Sequence, residues 1–227
     1  MAETAEIPLF PLGTVLFPQQ VLPLRIFEER YKRMIGRCLE EKIGFGVVLI
    51  RQGREVGGPS VPFEVGTLAK IVDAQILEGG RYNLKTVGDQ PFRLLRVTEQ
   101  RPYMQGEVEL LSYEPGETAG LEAIAESVKE QFDVHLNILS AMSGQERPQM
   151  DMNVDPEGLS YLVASLLYIK MPEKQALLEL PRADERLRAE AAILARENRT
   201  LQTFLYLKQQ EKGRRDPGDL QGRISLN

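Results

Sequence analysis

Hydrophobic and polar positions change period partway along this chain, and that change divides it into a strand-rich half and a helical half. Residues 7–10 (IPLF) and 21–26 (VLPLRI) are short apolar runs interrupted by prolines. Proline removes a ladder donor, so both are expected at sheet edges or beside bulges. Over 28–41 the period lengthens, and Tyr31, Met34, Ile35, Cys38 and Leu39 fall on one helical face. Glu28 and Glu29 suit the positive N-terminal end of that helix. Residues 43–50 are almost wholly apolar, as in a strand covered on both faces. The segment RQGREVGGPSVP (51–62) reads as a polar loop. Strands follow at 65–77 and 82–87, joined by the tight turn Glu78-Gly79-Gly80-Arg81 into a hairpin. Two more are expected at 92–98 and 103–111. In the last, Met104, Val108 and Leu110 alternate with Tyr103, Gln105, Glu107 and Glu109, giving one buried and one wet face. Several strands with one short helix suggest a small barrel or folded sheet.

Pro, Gly and polar residues at 112–120 (SYEPGETAG) interrupt both periods and mark the domain boundary. Beyond it the pattern is helical. Leu121, Ile124, Val128, Phe132, His135, Leu139 and Met142 recur at three- and four-residue steps, and a polar loop spans 143–154. Asp155 has the position of an N-cap with Pro156 at the first helical residue, opening a helix to about residue 170. Its stripe is Leu159, Leu162, Val163, Leu166 and Leu167. A short helix runs from Pro172 to Leu178 and stops at Pro181. In the final helix, 183–212, Leu187, Ala191, Leu194, Asn198, Leu201 and Leu205 form a coiled-coil-like seam with a polar residue inside it, which predicts self-association. At roughly 1.5 Å per residue this helix is about 45 Å long. The expected architecture is α+β: a β-rich domain over 1–117, a helical bundle over 118–212 and a disordered tail over 213–227.

Charge narrows the function. The formal balance is −5, and residues 1–112 carry equal numbers of each sign, so the whole excess of acid lies in the C-terminal half. Such a chain has no general field for phosphate backbones. One cysteine and one histidine exclude zinc sites built on several such ligands, and no metal or cofactor is expected. The N-terminal stretch has no basic, apolar leader pattern and no apolar run is long enough to span a bilayer, which points to a cytoplasmic protein without a membrane partner.

Catalytic constellations are missing too. His135 lies on an apolar helical stripe, where a packed residue with one or two hydrogen bonds is expected. Cys38 falls on an inward helical face and reads as a small core residue. There is no G-x-S-x-G, no S-x-x-K and no G-x-x-x-x-G-K-[ST], so neither a nucleophile elbow nor a P-loop is available. No catalytic residue is assigned. Met150 and Met152 stand in a polar loop, where flexible thioethers suit varied apolar partners; the alternative is that the loop folds back over them. Phe17, in an early turn, is either a partner contact or a plug at the end of the sheet.

Residues 7–35, IPLFPLGTVLFPQQVLPLRIFEERYKRMI, carry the pattern P-L-F-P-L, V-x-F-P and L-P-L-x-I-F-E-x-R-Y. This closely resembles the opening of the N-terminal domain of Lon proteases. The resemblance continues through VGTLAKI (65–71), GRYNLKTVGDQPFRLLRV (80–97), RPYMQGEVELL (101–111), LSYLVASLL (159–167) and EKQALLE (173–179). It implies a PUA-like β-rich pseudo-barrel followed by a helical bundle that helps hold unfolded substrates. The family's nucleotide loop and Ser-Lys protease module have no counterpart in these residues. The expected function is therefore non-catalytic binding of unfolded or damaged polypeptides, or of a protein partner. Phe17, Tyr31, Met150 and Met152 are the candidate contacts, in an apolar groove between the β domain and the helices. The alternatives are an RNA-binding PUA-like protein, using a basic stripe of Arg81, Lys85, Arg93 and Arg96, or a hydrolase with a cleft of perturbed ionisable groups.

Overall fold

The computed structural model describes residues 4–58, 60–112 and 120–214, without the side chains of 209 and 211–214. Six strands, β1 (Thr4–Leu12), β2 (Val21–Ile26), β3 (Phe45–Gly53), β4 (Ser60–Leu77), β5 (Arg81–Glu99) and β6 (Gln105–Leu110), form one sheet in the order β2-β5-β4-β3-β1-β6. β6 also pairs with β5, which closes β1, β3, β4, β5 and β6 into a ring and leaves β2 as a flap on β5. Closure removes most exposed edges, the aggregation liability of an open sheet. This is the pseudo-barrel expected of the β-rich half.

Proline is placed differently from expectation in one strand. β2 is an edge, bonded only to β5, and accommodates Pro23 there. β1 is internal: Thr4–Pro8 pair with β6, whereas Leu9–Leu12 pair in parallel with β3. Each half of β1 thus has one free side toward which the Pro8 and Pro11 nitrogens can point. The two strands expected at 82–87 and 92–98 are one long strand, β5. Its Gly88–Pro91 stretch meets β4 with a register shift between Thr67 and Ala69, so a bulge absorbs the proline instead of ending the strand. The polar loop is also shorter than 51–62, because β3 runs on to Gly53 and β4 begins at Ser60.

Phe45 to Leu49 are buried without a break because side chains alternate between two packed faces. Phe45 and Val47 join Phe10, Leu12 and Ala69 under α1 (Glu29–Glu41), whose Tyr31, Met34, Ile35 and Cys38 supply the other side of that cluster. Val48 faces the opposite way with Leu9, Phe92 and Val108. The Phe92 ring fills that second cluster so closely that a Cβ at Gly46 or Gly66 would lie 2.6 or 2.8 Å from its Cζ. Tyr103, expected on a wet face, is buried beside α1, and its hydroxyl lies 3.4 Å from the Arg37 guanidinium.

The helices are α2 (Leu121–Ser143), α3 (Pro156–Leu166), α4 (Met171–Glu179) and α5 (Ala183–Arg214). Asp155 caps α3 as expected, accepting from Gly158 N at 2.7 Å. α3 stops four residues short of 170, which leaves Leu166 exposed while Leu167 still reaches the core. α5 packs along α2 through Leu187 and Leu194. Asn198 is satisfied inside the chain: its Nδ2 donates to Gln131 O at 2.9 Å, and its Oδ1 lies 2.8 Å from His135 Nδ1. That seam position is therefore met by α2 within the chain. Of the predicted boundary at 112–120, residues 113–119 lie outside the described residues, as does the predicted tail of 213–227 from 215 onward; residues 213 and 214 belong to α5.

A third cluster joins the halves. Val15, Phe17, Leu49 and Val65 of the barrel pack on Tyr161, Ala164, Leu177 and Leu178 of the helices. Gln175, on α4, adds a buried hydrogen bond from Nε2 to Val65 O at 3.0 Å.

Candidate functional site

The turn Phe17-Pro18-Gln19-Gln20 is tied to the middle of β5. Gln19 N donates to Gly88 O at 2.7 Å and Gly88 N to Gln20 O at 2.9 Å, while Phe17 N donates to Gln20 Oε1. A Cβ at Gly88 would fall 2.1 Å from Phe17 O, so only glycine permits this approach. The turn and the bulged Gly88–Pro91 stretch make one wall of a cleft. The other wall is the start of α3 together with the end of α4, including Glu157, Tyr161, Leu178 and Glu179. The volume between them is about 770 Å³, within the range of sites that hold ligands.

Its floor is rigid. The Tyr161 ring sits 6.5 Å from Phe17 and 3.9 Å from the Arg186 guanidinium. Arg186 is fully buried, and donates through Nε to Ser160 Oγ (2.8 Å) and through Nη1 to Leu180 O (2.6 Å). Those bonds and the ring face offset the desolvation of the guanidinium. Glu157, on the rim, has its carboxyl pushed up by burial, with Arg186 opposing the shift. No His, Cys or Lys lines the cleft among the described residues, so a general base working near neutral pH is not supplied by those side chains. Among the described residues no group of three or more His, Cys, Asp or Glu is placed to hold a metal ion.

The four sequence candidates do not converge on this site. Phe17 is fully buried under the cleft and supports Tyr161 without lining the cavity. Tyr31 is in the α1 cluster, 4.1 Å from Phe10 by ring centroid and under Arg30, its hydroxyl pushed up to about 12 by burial. Met150 and Met152 are half-buried against the helical core, so their loop does fold back. The residues that sequence reading missed are Tyr161, Glu157 and the α4 end. Nothing in their periodicity marks them, because they meet β5 only through the fold.

Other chemistry stays buried or balanced. Cys38 has its thiol raised to about 11 by burial, far from a reactive thiolate. His135 stacks on Phe132 and bonds Asn198, as a packed histidine should. In the basic stripe of β5, strand register sets Asp73 opposite Lys85 and Glu109 opposite Arg93, and Arg96 pairs with Glu107 at 2.6 Å. Those acids offset part of the stripe's charge and weaken its pull on a phosphate backbone, whereas Arg81 sits opposite Leu77. Among the described residues no helix is long and apolar enough to cross a membrane.

Comparison with known proteins fits this geometry. Lon protease of Azospirillum brasilense is 26% identical over 212 residues, covering 92% of this chain and 26% of that protein. Lon protease of Escherichia coli (strain K12) is 25% identical over 95% of this chain and 28% of its own length. The chain thus spans about a quarter of the curated relatives it matches. Two solved structures share the fold. The Lon N-terminal domain protein from Xanthomonas campestris has a TM-score of 0.61 at 24% identity, over 83% of this chain and 98% of that one. The N-terminal domain of Mycobacterium avium complex Lon protease has a TM-score of 0.62 at 18% identity, over 84% and 98%. Residues 6–196 match the family model described as the ATP-dependent protease La (LON) substrate-binding domain, and the chain belongs to that family.

Proposed function

We propose that this chain is a non-catalytic polypeptide-binding module that seats a segment of an unfolded or damaged protein in the cleft between barrel and helices. The observation that carries the reading is the cleft itself: a preformed cavity of about 770 Å³ at the junction of the two halves, with Tyr161 and Leu178 offering apolar surface on a braced floor. The family's description as a substrate-binding domain supports the same role. The acids set opposite Lys85, Arg93 and Arg96 favour polypeptide over RNA. A single buried cysteine suits a reducing, cytoplasmic setting.

Fluorescence anisotropy with a labelled, permanently unfolded model polypeptide tests this. It should bind more tightly than a folded control, and Ser112→Trp, which places a large ring at an exposed lining position, should weaken binding without lowering the melting temperature. Equal affinity for the folded control would overturn the reading. Met150→Ser/Met152→Ser should leave affinity unchanged; loss of binding at an unchanged melting temperature would move the site to that loop.

A further inference from the structure

We propose, building on the polypeptide-binding reading, that the cleft selects segments in which a Lys or Arg adjoins an apolar side chain. Among the described residues the lining carries the carboxylates of Asp89, Glu109, Asp155, Glu157 and Glu179 against one cation, Arg93. The two walls differ in how that charge is met. On the barrel wall Asp89 is bound by Lys70 at 2.7 Å, and Glu109 faces Arg93 in strand register. On the helical wall Asp155, Glu157 and Glu179 have no ion-pair partner among the described residues. Their hydrogen-bond donors are neutral: Gly158 N to Asp155 and Gln175 Nε2 to Glu179. Arg186 lies behind Tyr161, fully buried; its Nε and Nη1 donate to Ser160 and Leu180, and it forms no ion pair with these three carboxylates among the described residues.

Glu179 adds a second reason. It is the last residue of α4, where the helix presents its negative end, and a carboxylate there is unfavourable until a cation arrives. Glu157 is half-buried on the same wall with no ion-pair partner among the described residues, and burial disfavours its charged form more than the buried Arg186 favours it. A lysine or arginine entering between them meets both needs. Its aliphatic stem lies on Tyr161 and Leu178 while its head reaches the carboxylates, the way long cationic side chains divide between apolar and polar surroundings. An acidic segment meets the same wall as repulsion, so the charge both attracts and excludes.

The test uses the whole chain and three labelled peptides with one apolar core, flanked by Lys, Gln or Glu. At an ionic strength of about 0.01 M the expected order of affinity is Lys, then Gln, then Glu, with about tenfold between the ends. At about 1 M, where the screening length is about 3 Å, the order should collapse. Glu157→Gln/Glu179→Gln should bring the Lys and Glu peptides close together, and Arg93→Gln should widen the gap. If the three bind alike, the charge selection is wrong although the polypeptide-binding reading stands. If none binds, both fall. Should the double variant fail to fold, the order of the three peptides on the parent chain and its salt dependence still decide the matter.

Discussion

Glu190 is fully buried on α5, one turn from Arg186, and both its carboxylate oxygens lack a hydrogen-bond partner among the described residues. Burial raises its carboxyl well above the ordinary value, and the Arg186 charge opposes that only in part. The folded state therefore holds this proton more tightly than the unfolded chain does. Stability from this group is fully present below about pH 4.5 and is lost as pH rises through the folded value. Glu190→Gln cannot ionise, so it should be more stable than the parent at about pH 8, with a flatter slope between about pH 5 and pH 8. Denaturant titrations across that range check this, and parallel curves for the two proteins would refute it. The sequence could not show this residue. Leu187, Ala191, Leu194 and Asn198 announce their own stripe, whereas Arg186 and Glu190 fall on the adjoining face, where charged side chains read as solvated. They are buried because α3 packs on α5 there, with Ser160 and Tyr161 meeting Arg186.

Elements with a strong local signal were legible: α1 by its four buried positions, α3 by the Asp155 cap, and the β4–β5 hairpin by Glu78-Gly79-Gly80. Where sequence reading erred, a tertiary partner had decided the outcome. Gly88–Pro91 looked like a break, yet pairing with β4 carries β5 across it. Tyr103 looked exposed, yet α1 covers it. The docking of α4 is another long-range decision, since Gln175 Nε2 reaches Val65 O across the junction. Gln175→Leu removes that donor and leaves a buried carbonyl wanting. The expected cost is about 1–3 kcal/mol, read by chemical denaturation, with faster amide exchange in α4 than in α1. A change confined to α1, or none in α4, would count against α4 being held this way.

At the scale of the molecule, the cleft is assembled from the early turn, the middle of β5, the end of β6, the start of α3 and the end of α4. No window of sequence contains two of its walls, which is why the expected groove was legible as an idea and its residues were not. The same junction couples the halves. Phe17 belongs to the barrel's early turn, but its ring packs in a cluster with Tyr161, Ala164, Leu177 and Leu178 of the helices. Barrel and helices should accordingly unfold together in one thermal transition, reported alike by exchange at β3 and at α3. Phe17→Ala opens a cavity at the shared cluster and should cost about 3–5 kcal/mol, lowering protection in both halves by a similar amount. If instead protection fell only in the barrel while α3 and α5 kept theirs, the halves would be independent units and the Tyr161 floor would not need Phe17. Because Tyr161 also lines the cleft, the coupled outcome carries a functional consequence: at temperatures where Phe17→Ala is still folded, polypeptide binding should be weaker than in the parent chain.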